Sequence, residues 1–429
     1  MAEWRKCKLG ELLEIKHGYA FKGEFFNDAG KYVLLTPGNF REEGGLKLKG
    51  DKEKYYTGEF PDEFLLGHGD MLVAMTDLTQ NAPILGSPAV IPKEGLFLHN
   101  QRLGKVANLK REAITLEFLF YLLNTALVRG QIKGSATGAT VRHTSPSRIY
   151  DVNVYIPPLP EQKRIAGILS AYDELIENSQ RRIKILETMA RNLYREWFVH
   201  FRYPGHENIP LIPSPLGDIP KGWELTLLRA VTTKIGSGAT PRGGKGAYKT
   251  KGIHLIRSLN IYDYSFEFED LAFIDEQQAA GLDNVKVEKF DILLNITGAS
   301  VARCALVLSY LLPARVNQHV AIIRVDPAKT SPFYVLDAIN SDERKQQLLA
   351  LAQGGATREA LTKDTISNFE IILPPSPLVN RYHRIASGIH NQREVLLRQI
   401  QNLRKTRDLL LPRLLSGQIP LHTPTAEAA

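Results

Sequence analysis

The loop GSGATPRGGKG (236–246) is the stretch most suggestive of chemistry, because Gly244-Lys245 after a glycine-rich run resembles the end of a phosphate cradle. That cradle needs a glycine five residues before Gly244 and a Ser or Thr after the lysine to hold a metal. Ala239 and Gly246 stand in those places. Amino-methyl transfer would need a Pro-Pro pair between an acidic or Asn residue and an aromatic one. Pro157-Pro158 lies between Ile156 and Leu159, and Pro374-Pro375 between Leu373 and Ser376. Pro61-Asp62 has no acidic-x-Lys partner at nuclease spacing, and the 11 histidines show no metal-ligand spacing. Four chemistries fail together, so the chain reads as non-catalytic, with neither metal nor cofactor of its own.

What remains is binding. The chain carries 54 basic against 46 acidic residues, for a net charge of +8, and this balance permits a polyanionic partner without demanding one. In the second half, Thr240, Arg242, Lys245, Tyr248, Lys249, Lys251, Arg257 and Asn260 fall on one glycine-rich stretch. Glycines of this kind let a backbone approach phosphates closely. In the first half, Lys22, Arg41, Lys47 and Lys49 lie in GYAFKGEFF and NFREEGGLKLK, among acidic neighbours. Arg142 and Arg358 come just after two GAT turns, where they either touch nucleic acid or fix each domain onto its helix. Asn100-Gln101 and Asn317-Gln318 directly precede strands, so they are expected to satisfy backbone groups rather than read bases.

Two long helices must position these groups. Leu159–Val199 has no proline after Pro160 and no glycine after Gly167. Ile165, Leu169, Tyr172, Ile176, Ser179, Ile183, Leu186, Ala190, Leu193 and Trp197 recur at steps of four and three. Such a stripe is a heptad seam that needs a partner helix, and the rod would be about 60 Å long. The second helix opens with Ser376 as N-cap before Pro377 and is ended by Pro412. Ile389, Leu396, Leu403 and Leu410 repeat every seven residues, with Ile385, Gln392, Gln399 and Thr406 as companions. Its eight cations, Arg381, Arg384, Arg393, Arg398, Arg404, Lys405, Arg407 and Arg413, against Glu394 and Asp408, read as a solvated face, with tracking of a DNA spacer or contact with an acidic partner helix as the alternative.

The chain also repeats itself. YVLLTPGNF answers IHLIRSLNI (Asn39 to Asn260), GDMLVAMT answers FDILLNIT (Asp70 to Asp291), and HNQRLGKV answers VNQHVAII. EFLFYLLN answers FYVLDAIN, GATVR answers GATRE, and Pro157-Pro158 answers Pro374-Pro375. Blocks in one order at nearly constant displacement mean a duplication. Each copy reads as α+β, with short β-branched strands and one helix at 116–129 or 332–353. The expected fold is two duplicated α+β domains (1–158 and 219–375) separated by a long antiparallel two-helix coiled coil. The expected bounds are 159–199 for the first spacer helix, 200–218 for a Pro-rich linker, 376–417 for the second helix and 418–429 for a disordered tail. Two cysteines far apart, no signal-peptide pattern and no 18-residue apolar run predict a cytoplasmic protein.

The motifs PPLPEQKRIAGIL, LGDIPKGWEL, DILLNITG, NQHVAII and GGATREAL…ISNFEIILPP resemble the specificity (S) subunit of type I restriction–modification systems. The resemblance spans nearly the whole chain. It implies two target-recognition domains, each reading one half of an asymmetric bipartite DNA site, with the paired helices as a ruler. It also implies two modification subunits that bind S-adenosylmethionine and methylate adenine, and restriction subunits that cleave DNA using ATP, so S-adenosylmethionine, ATP and Mg belong to partners. The second helix departs from the pattern: LVNRYHRI replaces EQKRI, with about three extra residues. A stand-alone bipartite DNA-binding regulator and a scaffold without nucleic acid remain the alternatives.

Overall fold

The computed structural model describes residues 4–353, 359–419 and Leu421. The chain divides into two compact units, Met1–Asn178 with Ile400–Ala429, and Ser179–Gln399.

The two units share a topology. In the first, an antiparallel four-stranded sheet runs in the order Glu14–His17, Leu103–Ala107, Met71–Ala74, Pro88–Val90. In the second, the same places are taken by Thr232–Ser237, Val320–Val325, Ile292–Asn295 and Cys304–Leu306. The central strands MLVA and ILLN are buried at every position, which explains why they read as unbroken apolar runs rather than alternating ones. A second, mixed sheet holds a parallel strand pair in each unit. Tyr32–Leu35 runs parallel to Phe97–His99, and Ile253–Ile256 runs parallel to Ala314–Val316. Each unit pairs an early strand with its last, Arg5–Lys8 with Asn153–Ile156 and Glu224–Leu227 with Glu370–Leu373. That last strand leads directly into a Pro-Pro pair and a long helix.

The helix expected at 116–129 is two, Leu116–Leu123 and Ala126–Ser135, because the Thr125 hydroxyl caps a new start by accepting from Val128 N–H. Its counterpart is likewise split, into Pro332–Asn340 and Asp342–Gln353.

The first long helix, Leu159–Tyr194, passes into a π turn at Arg195–Val199, where His200 N–H reaches back to Arg195 C=O at 2.9 Å. The wider turn brings consecutive residues Trp197 and Phe198 both into the core. The expected linker does not run free of the second unit. Phe201 meets Trp223 edge-on at 5.3 Å and Tyr203 lies tilted against it at 5.4 Å, and Leu211–Ile212 pairs with Ile219–Pro220. At the other end of the chain, Ile419 and Leu421 pack against the first unit's core, so the tail is anchored further than expected; 422–429 lie outside the described residues.

The second long helix, Ser376–Leu414, corrects four expectations. Pro375 C=O receives its first bonds, from Leu378 and Val379 N–H, so Ser376 is a helical residue rather than the cap. The helix continues through Pro412, which removes one donor without breaking the last turn. The companion register is also different: Ile385, Gln392, Gln399 and Thr406 are exposed. The inward stripe is Tyr382, Ala386, Ile389, Arg393, Leu396, Ile400, Leu403, Arg407, Leu410 and Leu414, buried or half-buried throughout. Every member lies 217 residues after a seam residue of the first helix, Ile165 to Trp197. The duplication therefore runs through both helices without a three-residue insertion.

Arg393 and Arg407 thus belong to the seam and not to a solvated face; the other six cations of this helix are exposed. Within the second unit, Arg393 donates to Glu187 at 2.8 Å and to Tyr264 C=O at 2.6 Å. Tyr382 packs around Trp197 and Phe198, so the helices run antiparallel there. Within the first unit, Arg407 meets Asp173 at 2.6 Å, and the Tyr121 hydroxyl donates to the same carboxylate at 2.7 Å. Burial, with the Asp173 charge beside it, holds that hydroxyl well above its usual range, so it remains a donor.

In the second unit Tyr194, Trp197, Phe198, Tyr334 and Tyr382 form a continuous aromatic core. Asp337 is buried within it, 5% exposed, and accepts from the Tyr382 hydroxyl. Burial pushes its carboxyl up from 3.8 to about 7, with hydrogen bonds from Tyr382 and Tyr264 and the Arg191 charge opposing.

Candidate nucleic-acid interface

Glycine starts the equivalent exposed segment in each unit. A Cβ at Gly18 would sit 2.3 Å from Asn100 C=O, and one at Gly238 would sit 2.2 Å from the carbonyls of Val316 and Asn317. Only glycine allows the chain to cross the end of the parallel strand there. Past the crossing, Tyr19 N–H bonds His99 C=O and Ala239 N–H bonds Val316 C=O. Each segment then makes one 3-10 turn, Gly23–Phe25 or Gly244–Ala247, and returns into the other parallel strand. The two turns are 221 residues apart, the displacement that also relates Tyr32–Leu35 to Ile253–Ile256.

In the second unit these segments gather most of the sequence-predicted residues into one patch. Thr240, Arg242, Lys249 and Lys251 are exposed, and Lys245 lies on the 3-10 turn. Arg257 stacks over the half-buried Tyr248 ring at 5.3 Å and donates to Asp270 C=O. Lys249 lies 3.4 Å from Asp275, whose carboxylate also caps the helix Glu276–Ala280. Arg242 and Lys251 make no ion pair among the described residues. They are therefore the cations most available to an anionic partner.

Asn260 does not belong to this patch. It is fully buried; its side-chain oxygen accepts from Arg257 N–H, and its amide donates to Glu267 and Glu269 C=O. A saturated, enclosed amide cannot reach a base edge, so its role is to shape the turn. Asn39 does the same in the first unit, accepting from Thr36 N–H and donating to Glu53 at 2.9 Å. Asn100 and Asn317 likewise accept from Arg102 and His319 N–H, as expected of turn-forming residues, while Gln101 and Gln318 are exposed.

In the first unit Lys22, Arg41 and Lys47 are exposed, whereas Lys49 is half-buried with its ammonium 3.5 Å from Asn39. Arg142 is half-buried, lies on a strand paired with Thr76–Asp77, and donates to Lys133 C=O at 3.0 Å. That contact ties the GAT turn to the helix Ala126–Ser135 of the same unit. Arg358 lies outside the described residues. Charge-led reading missed Phe25 and Phe26, each 39% exposed on the first unit's segment; adjacent phenylalanines in a polar stretch were the available signal.

No group of three or more His, Cys, Asp or Glu suited to a metal occurs among the described residues, and none of their helices is long and apolar enough to cross a membrane.

Residues 1–188 match the family model described as type I restriction modification DNA specificity domain. The chain is 25% identical over 354 residues to the MjaIX specificity subunit of a type I restriction enzyme from Methanocaldococcus jannaschii, covering 82% of this chain and 75% of that one. It is 24% identical over 398 residues to the EcoBI specificity subunit of Escherichia coli, covering 90% and 78%. The fold is shared with the crystal structure of a type I restriction–modification S subunit from M. genitalium, at a TM-score of 0.62 and 16% identity over 98% of this chain and 97% of that one. With a duplicated α+β fold and paired long helices, the chain is similar to type I restriction–modification DNA specificity subunits, and its first 188 residues match their specificity-domain model.

Proposed function

We propose that this chain is the non-catalytic DNA reader of a type I restriction–modification complex. Each α+β unit contacts one half of an asymmetric bipartite site. The antiparallel helices fix the unread gap, and the chain presents the site to two adenine-methyltransferase subunits and to restriction subunits. S-adenosylmethionine, ATP and Mg would act on those partners, in the cytoplasm. The observation that carries this reading is the duplication itself: one topology, used twice, presents an exposed glycine-led segment at the same place in each copy. Phosphate contacts from Arg242, Lys249, Lys251, Lys22, Arg41 and Lys47 would supply affinity, while base-edge contacts from the same segments would supply specificity.

The test is methyl transfer. The chain mixed with its modification partner should methylate adenines flanking a fixed gap, mapped on genomic DNA. Transfer without sequence dependence, or none, refutes the proposal. Removing seven residues from each long helix shortens the rod by about 10 Å, or about three base pairs. The gap should shorten while the bases read stay the same; altered half-sites at an unchanged gap would refute the ruler.

A further inference from the structure

The two glycine-led segments occupy one topological slot but carry different chemistry. In the second unit, 241–252 contains Arg242, Lys245, Lys249 and Lys251 and no acidic residue. In the first, 20–31 contains Lys22 and Lys31 against Glu24 and Asp28, and its prominent side chains are Phe25 and Phe26. Both rings are held in place. Phe26 pairs across the sheet with Tyr56, and Lys54 lies over its ring at 5.7 Å. Phe25 C=O accepts from both Thr57 N–H and the Thr57 hydroxyl, and its ring lies so close over Gly58 that a Cβ there would come within 2.6 Å. Two ordered phenylalanines, each two-fifths exposed, one ending the 3-10 turn and the next opening a short edge strand, expose apolar area that a partner would cover.

We propose, building on the DNA-reading role above, that the two half-sites are gripped by unequal forces. The second unit holds its half chiefly through phosphates. The first reads its half through apolar contact of Phe25 and Phe26 with bases. The occupant is DNA in both cases, because the slot is the same one that bears a cluster of cations in the sister copy. Apolar side chains reach bases in two ways, against a thymine methyl in the major groove or as a wedge in an opened base step. Neither releases counterions, so such contact adds affinity without adding salt dependence.

The experiment uses the full chain with its methyltransferase partner and the duplex that this complex selects from a randomised pool. Phe25→Ser/Phe26→Ser should weaken binding roughly 5- to 150-fold, the cost of about one mismatched base pair. The slope of log affinity against log salt should not change. Arg242→Gln/Lys251→Gln should flatten that slope by up to about 1.8, at about 0.9 per phosphate contact. Phe26→Ser alone, with its thermal midpoint measured, guards against misfolding of the double variant. Deoxyuridine in place of thymine in the first half-site detects methyl contact, and 2-aminopurine brightening detects a wedge, both on the wild-type protein. Unchanged affinity in the phenylalanine variants, a flattened slope on their loss, or silence of both DNA probes overturns the unequal grip while leaving DNA reading intact. Absence of DNA binding by the wild-type complex at any salt overturns both.

Discussion

Replacing Asp337 by Asn should stabilise the second unit at alkaline pH. The carboxyl is 5% exposed, and burial raises it from 3.8 to about 7. Between those values the folded chain holds a proton that the unfolded chain has released, so stability falls as pH rises through that window. It is fully retained only below about pH 4. A shift of about 3 units at 1.36 kcal/mol each makes the ionised carboxylate cost about 4 kcal/mol above pH 7. Asn keeps the shape and can still accept from the Tyr382 hydroxyl, while its charge is zero at every pH. The variant should therefore match the wild type near pH 4 and exceed it by up to about 4 kcal/mol at pH 8. Urea unfolding followed by tryptophan emission reports on this core, since Trp197 and Trp223 are both buried in it. Taking the difference between the two proteins cancels the titration of all other groups. Parallel stability curves from pH 4 to 8, or a variant weaker at pH 8, would show that Asp337 is ionised and stabilised in place.

Arg393→Ala should destabilise the second unit by about 3 kcal/mol, because it leaves Glu187 half-buried without its 2.8 Å partner; urea midpoints of single and Glu187→Gln double variants measure the coupling. Gly238→Ala should cost about 1–3 kcal/mol and weaken DNA binding, since the new methyl meets two backbone carbonyls at 2.2 Å; calorimetry and a binding assay together check this. Asn260→Ala should lower the thermal midpoint through loss of three buried hydrogen bonds, with DNA affinity falling only in proportion to unfolding; a loss of affinity in fully folded protein would restore a base-reading role.

The long helices, the repeat and the α+β class were legible because period and displacement are properties of sequence. The second helix's partner face was harder to read. Arginine normally marks a solvated surface, and Arg393 and Arg407 turn inward only because Glu187 and Asp173 await them on another helix. Setting LVNRYHRI against EQKRI implies an insertion that the fold lacks. Carrying the 217 displacement straight on from Pro374 lands on Tyr382, Ala386 and Ile389. Asn260 misled because a polar residue beside a basic loop looks like a reader until its bonds are seen to be filled from within. Phe25 and Phe26 carry no charge, so a pattern of basic residues gives no sign of them.

The pairs Arg407–Asp173 and Arg393–Glu187 of the helix seam have no mirror images. At the displacement of 217, Asp173 and Arg407 correspond to His390 and Ala190, and Glu187 and Arg393 correspond to Arg404 and Ile176. A front half bound to its own twin would set carboxylates against Ala190 and Ile176, and a back half would set Arg393 against Arg404. Each half therefore favours its sibling over a copy of itself, so that severed halves expressed together should find one another rather than form like-with-like dimers. An asymmetric molecule is thereby maintained by a duplicated sequence.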